Sequence, residues 1–155
     1  MAFSPSSPIT GATQNGLTSP TFTVTADTPP NAHSKQFAVT TLGGTQTGVE
    51  VHSVSNPFTI TMERPLAYKQ LGQPNPVTGA VANVPRNRHV VRIRKGTRPL
   101  AGQNPVVSSC TVNIDTAAGA DLADPLSIKS MLSCAIGVLN QQSAGIGDTT
   151  ISGVL

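Results

Sequence analysis

Between Val107 and Leu139 the sequence changes its period, and that change decides the fold. In Val107-Ser108-Ser109-Cys110-Thr111-Val112-Asn113-Ile114-Asp115, the residues Cys110, Val112 and Ile114 share one face while Ser109, Thr111, Asn113 and Asp115 share the other. Such alternation belongs to a strand with one face on a core. Further on, Ala123-Asp124-Pro125 supplies a capping carboxylate followed by proline at the first helical position, and Ile128, Met131, Leu132, Ala135, Val138 and Leu139 recur at i, i+3, i+4. The spacing predicts an amphipathic helix of about four turns ending near Asn140-Gln141. The tail, Ser143 to Leu155, is weakly apolar and glycine-rich, and is expected to hold a short second helix.

Working back from that stretch, period two recurs. Arg88-His89-Val90-Val91-Arg92-Ile93-Arg94 places His89, Val91 and Ile93 on one face and Arg88, Val90, Arg92 and Arg94 on the other. Phe58-Thr59-Ile60-Thr61-Met62-Glu63 separates Phe58, Ile60 and Met62 from Thr59, Thr61 and Glu63 in the same way, and Pro65 stops it. Gln36-Phe37-Ala38-Val39-Thr40, closed by Leu42-Gly43-Gly44, and Gly48-Val49-Glu50-Val51-His52-Ser53-Val54 are two further strand expectations. Nearer the N-terminus, Gln14-Asn15-Gly16 reads as a hairpin turn whose second arm is Thr21-Phe22-Thr23-Val24-Thr25. Residues 66–85, with Gly72, Pro74, Pro76 and Gly79, read as a wide surface loop. The expected architecture is α+β: an N-terminal β-hairpin, a five-stranded antiparallel sheet, then the helical region. One domain covers 1–155, with tail and hairpin in 1–26, sheet in 36–115 and helices in 124–155.

Composition agrees with a folded, turn-rich β domain. Of 155 residues, 37% are hydrophobic, 3% aromatic and 11% charged, with net charge +3. So small a charge cannot hold the chain open by self-repulsion, and the surface must be built from Ser, Thr, Asn and Gln. The N-terminus shows no basic segment followed by an apolar one, so no secretory signal is read there. No apolar run reaches the roughly 18 residues that cross a bilayer. Cys110 and Cys134 lack metal or redox spacing and are expected to be buried, reduced thiols.

Charge placement carries the chemistry. Arg86, Arg88, Arg92, Arg94, Lys95 and Arg98 follow one another with no intervening acid, and Arg88, Arg92 and Arg94 leave one face of a strand whose other face is apolar. Arginines side by side on a sheet repel unless an anion neutralises them, and phosphate is the natural candidate. The same face is expected to expose Thr59 and Thr61 on one strand and Ser109, Thr111 and Asn113 on another, groups able to bond bases and 2′-hydroxyls of single-stranded RNA. Phosphate-loop, nucleophile-elbow and zinc-protease motifs are missing, the seven carboxylates are scattered, and His33, His52 and His89 are isolated. No enzyme, catalytic residue, metal, cofactor, small-molecule substrate or membrane partner is therefore expected. A stripe from Ile128 to Leu139 is more than one thin sheet can cover, which predicts an obligate dimer with Ile128, Met131, Leu132, Ala135 and Leu139 at its interface.

This order of elements resembles the coat proteins of single-stranded RNA bacteriophages, the levivirus group. The similarity is carried by residues 58–65, by Asn87 to Arg94, and by Asp124-Pro125-Leu126-Ser127-Ile128-Lys129-Ser130-Met131-Leu132. The resemblance implies subunits that join their sheets edge to edge, helices that pack over the partner's sheet in an intertwined dimer, and dimers that build an icosahedral shell. It implies a virion protein made in the bacterial cytoplasm, whose inner sheet face binds genomic RNA and a hairpin that represses translation. By position, Thr59 and Thr61 match the family's base-pocket hydroxyls, Arg92 its pocket lysine, and Asn113 or Thr111 its last-strand asparagine. Ser109 stands where the family stacks a base on an aromatic ring, and Glu63 where a basic residue is expected. The loop after Lys95 is expected to gather at the shell's symmetry axes. Two other readings of the residues remain open at this point: a small β-rich RNA-binding protein that does not assemble, and an extracellular fibre or adhesin-like module.

Overall fold

In the computed structural model, which describes residues 3–155, six strands form one antiparallel sheet in chain order. They are β1 (Ile9–Thr10), β2 (Thr18–Asp27), β3 (Ser34–Thr45), β4 (Phe58–Glu63), β5 (Arg86–Thr97) and β6 (Val106–Ala117). Three helices follow, α1 (Ala120–Ala123), α2 (Pro125–Gln141) and α3 (Ser143–Ser152). Met1 and Ala2, the start of the expected tail, lie outside the described residues.

Register carries the alternation of each strand into two continuous faces. On the apolar face Phe37 stands opposite Ile60, Ile60 opposite Ile93 and Ile93 opposite Cys110, while Met62, Val91 and Val112 form the next row. Val24 faces Val39 but Thr23 faces Thr41, so a bulge at Thr40 keeps Leu42 in step with Phe22 on that face. The four phenylalanines meet edge to face there, Phe22 with Phe58 at 5.7 Å and Phe3 with Phe37 at 6.0 Å between centroids. Gly44, at φ 72°, passes the carbonyls of Thr18 and Ser19 so closely that a Cβ would strike both.

The helical region begins as the capping signal predicts. Asp124 accepts the Ser127 N–H at 3.2 Å and Pro125 occupies the first turn of α2. At the far end α3 is tied to the hairpin turn, since Gln14 Nε2 donates to the Ser143 carbonyl at 2.9 Å and Asn15 Nδ2 to Asp148 at 2.5 Å.

Several expectations are corrected. Hairpin and sheet are not separate: β2 is the second arm of the one and a full member of the other, which gives six strands rather than a hairpin plus five. Gly48 to Val54 is not a strand. Gly48 turns left-handed at φ 80°, and Ser53 and Asn56 exchange backbone bonds in a turn, so only the His52 N–H, donating to Val39 O at 2.9 Å, is strand-like. Strand β3 runs through Gly43 and Gly44 instead of closing there. The tail holds a ten-residue helix, α3, and α1 precedes the predicted one. Cys110 and Cys134 are both free thiols but both exposed, because neither β6 nor α2 is covered within the chain.

Candidate nucleic-acid interface

Cross-strand pairing assembles the polar face row by row. One row runs Gln36, Thr61, Arg92, Thr111; the next runs Ala38, Thr59, Arg94, Ser109. A third pairs Glu63 with Val90 and Val90 with Asn113, and a fourth pairs Arg88 with Asp115. All eight predicted residues therefore lie on one face, but not in equivalent surroundings.

Thr59 and Thr61 were expected to be exposed, and each is only 2% accessible. Both are short side chains on a central strand, flanked in register by the longer Gln36, Arg92 and Arg94. Thr61 Oγ1 donates to Gln36 Oε1 at 3.0 Å, and Gln36 Nε2 donates to Asp27 at 2.7 Å. That bond holds the Asp27 carboxyl below its usual range. Thr59 Oγ1 is buried with no hydrogen-bond partner. Gln36 and Asp27 thus belong to the face although sequence reading passed over them; the alternation of Gln36 with Ala38 on β3, and of Thr25 with Asp27 on β2, was the signal that could have found them.

The basic run divides into three. Arg88 forms a two-bonded pair with Asp115 at 2.7 and 2.9 Å, which lowers the Asp115 pKa and raises that of Arg88. Arg98 pairs with Glu50 at 2.6 Å. Lys95 belongs to the other face: its Nζ bonds Asn56 Oδ1 at 3.0 Å and lies 5.2 Å from the Phe58 ring centroid, and burial lowers its pKa. Arg86, Arg92 and Arg94 form no ion pair among the described residues. Arg86 lies at the start of β5 opposite Ala117, while Arg94 stands opposite the orphaned Thr59 and Arg92, two residues away, opposite Thr61. Ser109, Thr111 and Asn113 line the exposed outer strand next to them.

The helix stripe points to a second kind of surface. Met131, Leu132, Ala135 and Leu139 face Val112 and Ile114 across an apolar groove of about 440 Å³, and no residue of α2 is buried; Ile128 is half-buried outside that groove.

No family model and no curated protein sequence matches the chain. Among solved structures, the chain is 55% identical to the "Virus-like particle of bacteriophage ESE020", with TM-score 0.96 over 99% of this chain and 100% of that one. A second match, the "Virus-like particle of Beihai levi-like virus 32", is 17% identical with TM-score 0.47 over 86% of this chain and 88% of that one.

Proposed function

This chain belongs to the levivirus-like coat proteins, a structural and not an enzymatic family, and from that premise we propose that it assembles as dimers into an icosahedral virion shell that holds single-stranded RNA on the polar face of its sheet. Synthesis in the bacterial cytoplasm is part of the same reading.

The dimer is supported by what the chain leaves uncovered. A compact monomer of 15.9 kDa exposes about 7,400 Å² by the usual scaling of area with mass, against 10676 Å² here. Among the described residues only Ala38, Val39 and Ala118, with Pro20, are buried apolar side chains. Strand β6 ends the sheet with an unpaired edge of twelve residues that carries no lysine or proline to block pairing. A second copy joined along β6, with its helix seated over the apolar face, supplies the missing core.

RNA binding rests on one observation: Arg94 stands opposite, and Arg92 diagonal to, a buried Thr59 hydroxyl that has no partner, and neither arginine is held by a carboxylate. Phosphates neutralise the arginines, and an unstacked base completes the Thr59 hydroxyl. Arg88, already held by Asp115, contributes less. With Ser109 in place of an aromatic, the face favours packaging by charge over sequence readout.

Filter binding of assembly-blocked dimers across a salt series tests this. Each single-strand phosphate contact adds about 0.7 to the slope of log affinity against log salt, so Arg94→Gln should flatten the slope by about one contact and leave preference among RNAs unchanged. Arg92→Gln should weaken a hairpin from the cognate genome more than a scrambled RNA, which is also the result required of a translational repressor. If neither substitution changes affinity or slope, the polar face is not where RNA binds.

A further inference from the structure

Where β3 begins and β4 stops, three basic side chains surround one cavity. Lys35 pairs with Met62, and the Arg64 N–H donates to the His33 carbonyl at 3.0 Å. His33, Lys35 and Arg64 are thereby gathered at a cavity of about 310 Å³ whose apolar walls include Phe3 and Met62. Phe3 is held there edge-on to Phe37.

The cations of this cavity are not spent. Lys35 Nζ reaches only the Phe3 carbonyl at 3.3 Å, and Arg64 Nη1 only the Pro65 carbonyl at 3.5 Å, both long bonds to neutral acceptors. Lysine has three donors and arginine five, so most remain open. No carboxylate pairs with either among the described residues: the ion pairs are Arg88–Asp115 and Arg98–Glu50, and Glu63, next to Arg64, alternates onto the polar face. Lys35 and Met62 lie on the apolar face at β3 and β4, away from the β6 edge where the second copy joins, and Phe3 is the one residue shared with the groove beside α2. The cavity is therefore separate from the Arg92–Arg94 rows and does not depend on the RNA proposal.

We propose that this cavity binds a phosphate-bearing nucleotide group, with the phosphate on Lys35 and Arg64, a ring N–H of His33 as a further donor, and the base against Phe3 and Met62. Donors converging from separate elements suit the several oxygens of a phosphate. An aromatic ring beside a thioether suits a flat, polarisable body. The volume lies at the lower end of small-ligand pockets, about 300 to 1,000 Å³. A free nucleotide and the phosphorylated end of an RNA present the same chemistry.

Calorimetric titration of the full chain, freed of nucleic acid, with AMP, inorganic phosphate and adenosine tests the site. AMP is expected to bind saturably, phosphate to compete more weakly, and adenosine to bind least. Replacing Lys35 and Arg64 together by glutamine should weaken AMP by about tenfold or more, the usual weight of charge-assisted hydrogen bonds, while Arg92→Gln with Arg94→Gln should leave it unchanged. Arg64 is exposed, so Arg64→Gln alone provides a variant that folds, with a smaller loss in the same direction. A 5′-phosphorylated oligoribonucleotide that loses affinity in the double variant assigns the site to RNA ends, and AMP alone to free nucleotides. Absence of saturable AMP binding, or AMP binding that only the Arg92 and Arg94 substitutions remove, overturns the proposal.

Discussion

Thr59 and Thr61 sit two residues apart on one strand with the same burial, yet their hydroxyls differ in what they do. Thr61 Oγ1 is bonded to Gln36, whereas Thr59 Oγ1 is orphaned. A buried polar group without a partner costs its desolvation, and one with a partner contributes about 1 kcal/mol net. Thr59→Val should therefore leave the urea midpoint unchanged or raise stability by up to about 1 kcal/mol, whereas Thr61→Val, which strands Gln36 Oε1, should lower it by about 1 kcal/mol. If RNA supplies the missing partner, Thr59→Val also weakens hairpin binding without loss of stability, and equal midpoint losses for the two variants would contradict the assignment. The residue types on this face were legible from alternation; their inequality was not, because it depends on which neighbour a neighbouring strand brings alongside.

At the scale of elements, the segment between β3 and β4 is held by side chains instead of by a ladder. Asn56 joins Glu50 to Lys95, Glu50 takes Arg98, and His52 Nδ1 accepts the Phe58 N–H at 3.0 Å. This ties the segment to the end of β5 and to the start of the following loop. The Arg98 hydrogen bond, then that of Asn56, holds the Glu50 carboxyl below its ordinary value of 4.5. A carboxylate whose folded pKa is depressed lends stability above its ordinary value and loses it as pH falls through the folded one. Amide exchange in residues 98–105 should therefore quicken as pH drops below 4.5, after correction for the intrinsic rate. Glu50→Gln should remove that acid step, and a step that persists in the variant would place the latch elsewhere. Sequence reading took Gly48 to Val54 for a strand, although only Val49 and Val51 alternate there and Val54 falls out of step. Alternation says which side chains share a face, not whether the backbone has a partner to join.

For the whole molecule, the deciding quantity is the apolar surface that one chain leaves open. Leu132 of α2 faces Val112 and Ile114 of the sheet across a groove that the chain does not fill. Leu132→Asp should abolish soluble dimer, since it places an unpaired charge in the shared core, and sedimentation of a well-folded monomeric variant would contradict that. Wild-type unfolding should shift to higher denaturant as protein concentration rises, because folding and association are one equilibrium in an obligate dimer. The sequence by itself determined the periods, and so the strand and helix types, the cap at Asp124, the two faces of the sheet and the resemblance to a coat-protein family. These are local properties, set by side chains within a few residues of one another. Only the tertiary structure decided that Arg88 and Arg98 are neutralised while Arg92 and Arg94 are not, that Thr59 is orphaned, and that His33, Lys35 and Arg64 share a cavity. Each depends on register between strands far apart in the chain, and register is fixed by how the apolar rows meet, which no single stretch of sequence contains.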